Sequence, residues 1–99
     1  MPTEDDARQR AMTQLGLPLV RQVLRHLAGH GPSTRAELAE ACGVHPQAIN
    51  HAVRRLEPLN LISVDHPPGQ RHGKRVRYLL DRDGLTRTLD ALGNYVLGR

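Results

Sequence analysis

The sequence predicts a mainly helical α+β domain on one hydrophobic core, with a small β-hairpin inserted before its last helix. Three observations predict this. The chain is 99 residues long, which is one domain's worth. Its apolar set, 38% of the residues, contains no Phe and no Trp, so its bulk comes from Leu and Val and favours helices over a β-sandwich. Apolar residues recur at helical spacing along most of the chain, and the period changes to short β-favouring runs only between Leu61 and Leu80.

The elements follow in order. Residues 1–16 read as an N-terminal extension and 17–99 as the domain proper. In the extension, Thr3 and Asp6 are spaced like a capping box, and Ala7, Ala11 and Leu15 share one thin apolar side of a helix expected over 3–15. Gly16 and Pro18 break it, and Pro18 is suited to the first turn of a second helix. Val20, Val23, Leu24 and Leu27 project within about 100° of one another on that helix. It should end near Gly29 or Gly31, before Pro32.

Ser33 or Thr34 can cap a third helix, with Glu37 completing a capping box behind Thr34. That helix should run to about Ala41, where Gly43 can take the left-handed conformation that ends a helix without steric cost. A fourth helix restarts at once. His45 is its candidate cap, Pro46 suits its first turn, and Ile49, Val53 and Leu56 lie within about 60° of one another.

Beyond Pro58, residues 61–64 and 76–80 are β-favouring runs separated by a tip rich in Pro, Gly and charge. Pro67, Pro68, Gly69 and Gly73 keep regular structure out of that tip, leaving Gln70, Arg71, His72, Lys74 and Arg75 to project into solvent. In the last helix, Leu85, Leu89, Leu92 and Val96 form a stripe only about 60° wide, closer to a coiled-coil seam than to a core-facing surface.

Composition narrows the function. No apolar stretch approaches the roughly 20 residues of a membrane span, and Glu4, Asp5 and Asp6 stand where a secretory leader would be basic, so a cytoplasmic protein is expected. Cys42 is the one cysteine and cannot form an internal disulfide or a thiolate-rich metal site. Fourteen basic against ten acidic side chains give a net charge of +4, which points to a polyanionic partner. The positive field is local, because the stretch from Arg71 to Arg77 holds four cations and no acid. There is no Gly-rich phosphate loop, no zincin motif and no activated cysteine, so catalysis is not expected.

The segment TRAELAEACGVHPQAINHAVRRL resembles a helix-turn-helix. The order of helix, helix-turn-helix, hairpin and helix over residues 17–97 resembles the winged helix-turn-helix transcriptional regulators of the ArsR and MarR type. Leu38, Ala39, Cys42, Gly43, Val44 and Ile49 carry the most specific part of that pattern. Ala39 would let two helices approach closely, Gly43 would make the turn, and the rest would fill a shared core. LEPLNLISV and RVRYLL look like the run into the first wing strand and the returning strand. Ile49-Asn50 and Pro67-Pro68 are also similar to Z-DNA-binding winged helices, but Arg54 stands where that family stacks a Tyr, and its function is not carried over.

The resemblance implies a winged helix-turn-helix with a two- or three-stranded β wing and a C-terminal dimerisation helix. Its partner would be double-stranded DNA. Gln47, Asn50, His51 and Arg54 lie within about 100° of one another on the face opposite Ile49, where Asn and Gln can bond adenine and Arg can bond guanine. Arg71, His72, Lys74 and Arg75 would hold the phosphate backbone or enter the minor groove, and Thr34 and Arg35 could add phosphate contacts from the start of their helix. Leu85, Leu89, Leu92 and Val96 would pair with a twofold mate, giving a homodimeric repressor on a pseudo-palindromic site. The cysteine-rich metal motif of many ArsR-type proteins is absent from this sequence. His26 and His30 have i, i+4 spacing, but His30 sits between two glycines past the expected helix end, so no metal or cofactor is assigned. A small-molecule effector is left open. Two rivals share the fold: a protein-interaction module, and an architectural DNA-binding protein without sequence choice.

Overall fold

The computed structural model describes residues 4–99, so the expected cap at Thr3 lies outside the described residues. The elements are α1 (Glu4–Leu15), α2 (Pro18–His30), α3 (Arg35–Cys42), α4 (Pro46–Leu56), a 3-10 turn (Glu57–Leu59), β1 (Ile62–Val64), β2 (Tyr78–Leu80) and α5 (Arg82–Val96). This is a mostly helical winged helix-turn-helix arrangement with a two-stranded antiparallel sheet.

Local chemistry sets the helix ends. Pro18 opens α2, and at its far end the Gly31 N–H donates to the Leu27 carbonyl. The helix runs through Gly29 to His30 and ends at Gly31, within the expected range, but it includes His30, which was expected to lie past its end. His30 is therefore in the last turn, stacked on His26 with ring centres 4.2 Å apart. At α3 the capping box is complete: the Glu37 N–H donates to Thr34 Oγ1 at 3.2 Å, and the Thr34 N–H donates to Glu37 Oε1 at 3.0 Å. Gly43 ends α3 at φ 67°, a left-handed value that a Cβ would strain. His45 Nδ1 accepts the Gln47 N–H at 3.0 Å and caps α4. Only Gly43, Val44 and His45 separate α3 from α4.

The apolar stripes meet in one core. Val20, Val23, Leu24 and Leu27 of α2 pack with Leu38 and Ala39 of α3, Ile49, Val53 and Leu56 of α4, and Leu61, Ile62 and Tyr78 of the wing. Each fully buried Leu, Ile or Val contributes about 1.5–3 kcal/mol relative to exposure. Because Ile49, Val53 and Leu56 are all committed to this core, the opposite face of α4 must point outward.

The sheet is shorter than expected. The register pairs Ile62 with Leu80, Ser63 with Leu79 and Val64 with Tyr78. Val76 and Arg77 fall outside β2, although the Asp65 N–H still reaches the Arg77 carbonyl at 3.1 Å. Ser33 and Tyr78 add an isolated antiparallel bridge, exchanging backbone bonds of 3.0 and 2.8 Å that tie the start of the helix-turn-helix to the returning strand.

α1 lies against α5, with the Arg8 guanidinium 5.1 Å from the centre of the Tyr95 ring, and Ala11 is buried. The leucine seam of α5 is divided. Leu85 is half-buried and packs against the chain's own core, the start of α5 being held down by its cap at Asp81 and by Arg82 bonded to the Ala28 carbonyl. Leu92 is half-buried, whereas Leu89 and Val96 are 49% and 69% exposed beside exposed Tyr95 and Leu97. Among the described residues no helix is long and apolar enough to cross a membrane, and no group of three or more His, Cys, Asp and Glu is placed to hold a metal ion.

Candidate nucleic-acid interface

The outward face of α4 forms one wall of a groove. The start of α3 and the tip of the hairpin form the others. Arg35 comes from α3, Asn50 and Arg54 from α4, and Arg71, His72, Lys74 and Arg75 from the wing tip, around a space of about 880 Å³. Arg35, Arg54, His72, Lys74 and Arg75 are exposed and Asn50 is half-buried. Gln47 and His51 are exposed on α4 but do not line this groove.

Two expected members are placed differently. Thr34 is 5% exposed, and its hydroxyl and N–H both serve the capping box. Thr34 lines the groove from the start of α3 with its hydroxyl oxygen engaged in that cap. Arg71 does not project into solvent either. Its Nη2 and Nη1 donate to Glu57 Oε1 and Oε2 at 2.6 and 3.1 Å, and its Nε donates to the His66 carbonyl at 2.8 Å. This is a two-toothed guanidinium–carboxylate pair, which holds geometry as well as charge. It keeps the Arg71 guanidinium protonated above its ordinary value.

Two groove residues with polar side chains, Glu57 and Tyr78, were missed from sequence. Glu57 is the one acid lining it among the described residues, and its partner lies 14 residues away across a loop whose path sequence spacing does not reveal. Tyr78 forms part of the floor. Burial raises its phenol above the ordinary value, opposed by the nearby charges of Arg35, Arg71 and Arg54. Its alternation within β2 marks it as inward-facing, but gives no sign that the groove lies above it.

The wing tip is two consecutive turns. The Gln70 N–H donates to the Pro67 carbonyl and the Lys74 N–H to the Arg71 carbonyl, both at 3.1 Å. Gly69 and Gly73 take left-handed φ values of 86° and 71° within them. At the base, Asp65 Oδ1 accepts the Arg77 N–H at 2.9 Å and lies 2.8 Å from His66 Nδ1. These bonds hold the Asp65 carboxyl below its ordinary value. What this leaves is a shallow, positively charged groove whose cations stand on two sides of a polar helix face. Such a surface suits a phosphate backbone flanking a base edge.

Residues 17–72 match the model of the MarR family. No match is found among curated proteins. Solved structures share the fold. An ArsR family transcriptional regulator superposes with a TM-score of 0.72 at 23% identity, over 99% of this chain and 94% of that one. The homodimeric winged helix-turn-helix DNA-binding domain of a possible ArsR-family regulator from Mycobacterium bovis superposes with a TM-score of 0.68 at 22% identity, over 94% and 80%. The YusO protein from Bacillus subtilis does so at 0.64 with 26% identity, over 97% of this chain and 68% of that one.

Proposed function

The chain belongs to the MarR family of winged-helix regulators, and on that premise we propose that it is a sequence-specific, double-stranded-DNA-binding repressor acting as a homodimer in the cytoplasm. The observation that carries this reading is the groove in which Asn50 and Arg54 of α4 stand between the cations of α3 and those of the wing tip. α4 enters the major groove. Asn50 and Arg54 read base edges with Gln47 and His51 beside them, each good bidentate contact discriminating by about 1–3 kcal/mol. Arg35, His72, Lys74 and Arg75 hold the flanking backbone or minor groove.

Dimerisation is supported by the exposed apolar residues Leu89, Tyr95, Val96 and Leu97 on and just beyond α5. The Mycobacterium bovis neighbour is described as homodimeric. Two protomers would set their α4 helices about one DNA turn, roughly 34 Å, apart on a pseudo-palindromic site, and occupation of that site would block transcription.

Fluorescence anisotropy with a random duplex tests the reading. Arg35, Lys74 and Arg75 of two protomers give about six phosphate contacts, so affinity should fall by about a thousandfold between 50 and 200 mM salt. Salt-independent or absent binding would instead favour a protein-interaction module. Equal affinity for every duplex would favour architectural binding.

A further inference from the structure

The Arg71 guanidinium is turned onto Glu57 and the His66 carbonyl at the edge of the groove. Three of the five guanidinium donors of Arg71 are spent on Glu57 and the His66 carbonyl. Glu57 follows directly on α4, at the first residue of the 3-10 turn that ends the helix. Arg71 stands at the junction of the two turns of the wing tip, and its own carbonyl accepts the N–H of Lys74. A rigid link therefore runs from the end of α4, through a carboxylate and a guanidinium, to the turn that carries His72, Lys74 and Arg75. The sheet itself ends at Val64 and Tyr78; between those residues Val76 packs against the core, and this pair ties the tip to the end of α4.

We propose that Glu57 is a positioning residue for DNA recognition: it holds Arg71 back from phosphate and uses it to set the wing tip at a fixed distance from α4, so that Lys74 and Arg75 meet the backbone in register with Arg54. The proposal rests on the DNA-binding reading above and deepens it. The surroundings of the pair support it. Arg35, Arg54, Lys74 and Arg75 line the same groove, so an unpaired Glu57 there would repel phosphate, while paired it is neutralised. Both partners are about two-thirds covered, 31% and 32% exposed, which shields the pair from the salt that weakens fully exposed ones.

Salt slopes and sequence preference test it together. The variants are Glu57→Gln, the charge-balanced double Glu57→Gln/Arg71→Gln, and Lys74→Ala as comparator, each titrated with a labelled random duplex and with a selected duplex between 50 and 200 mM salt. Freeing the Arg71 charge in Glu57→Gln should steepen the slope by about 0.9 per protomer, about a tenfold greater loss of affinity for the dimer over that range, and narrow the preference for the selected duplex. The double variant should keep the wild-type slope, because Arg71 held no phosphate, yet show the same narrowed preference. Lys74→Ala should flatten the slope by about 0.9 per protomer. In the free protein, trypsin should cut after Lys74 and Arg75 faster in Glu57→Gln than in wild type.

A double variant whose slope flattens like Lys74→Ala would overturn the proposal, since Arg71 would then be a phosphate ligand. A Glu57→Gln protein with wild-type slope, preference and trypsin rate would overturn it as well. Failure of the wild-type protein to bind duplex in a salt-dependent way, with trypsin still cutting Glu57→Gln faster, would instead overturn the DNA-binding reading and with it the role in recognition, leaving only a structural clamp.

Discussion

The carbonyl oxygen of Asn60 rests against the Cα of Gly84, so close that a methyl group on Gly84 would overlap it. Asn60 takes a left-handed φ of 59° to close the 3-10 turn after α4, and Gly84 sits in the first turn of α5, capped by Asp81 at 2.8 Å. The contact is between backbones, so no side chain can swing away to relieve it. Gly84→Ala should cost about 2 kcal/mol or more and lower the melting temperature by about 10 °C. Gly93→Ala, on the same helix with open space where a Cβ would stand, should leave stability unchanged or raise it by up to about 1 kcal/mol. Thermal denaturation of the two variants checks the contrast, and equal melting temperatures would count against the close approach.

The capping box of α3 predicts a pH dependence. The Thr34 N–H and hydroxyl hold the Glu37 carboxyl below its ordinary value of 4.5. A carboxyl depressed in the folded state stabilises the fold fully above its unfolded value and loses that contribution as pH falls through the folded one. Acid unfolding of the wild-type protein should therefore include a component below about pH 4.5 that is missing from Glu37→Gln. Thr34→Ala removes the cap itself and should cost about 1 kcal/mol at neutral pH. Denaturant titrations from pH 3 to 7 read both.

The divided seam of α5 predicts two kinds of failure. Leu85 packs on the core and Leu89 is half-exposed, only one helical turn apart. Leu89→Asp should lower dimer affinity, seen as a shift to monomer in sedimentation, while the monomer keeps its helical circular dichroism. Leu85→Asp should lower the melting temperature of the chain itself, because it places a charge on a half-buried position against the core. A Leu89→Asp protein that still sediments as wild type would remove α5 from the interface.

Much of the fold was legible because it depends on local chemistry. Pro18, the Thr34–Glu37 box, Gly43 and the His45-Pro46 pair each mark a helix end within a few residues, and the Ile49, Val53 and Leu56 stripe fixes which way α4 faces. The helix-turn-helix reading added to these the pattern of Leu38, Ala39, Cys42 and Val44 around the turn. What was not legible depends on where distant residues meet. Glycines at 29 and 31 read as a break, but only Gly31 takes a positive φ, so His30 stayed helical. A leucine repeat cannot say which of its members the chain's own core will claim, and Leu85 was claimed. The basic tip read as four free cations, because nothing in the spacing of Glu57 and Arg71 foretells that the loop folds back to join them. Arg54, by contrast, needed only helical phase, and the structure places it exposed on the groove.

The central claim is that the outward face of α4 reads DNA bases while the wing holds backbone, and selection of bound duplexes from a random pool tests it most directly. The wild-type protein should enrich two related half-sites about one helical turn apart. Arg54→Ala should relax one position of each half-site, an effect of about 1–3 kcal/mol, and Lys74→Ala should weaken all sequences alike. A pool that stays random, or the same motif recovered with Arg54→Ala as with wild type, would contradict the account.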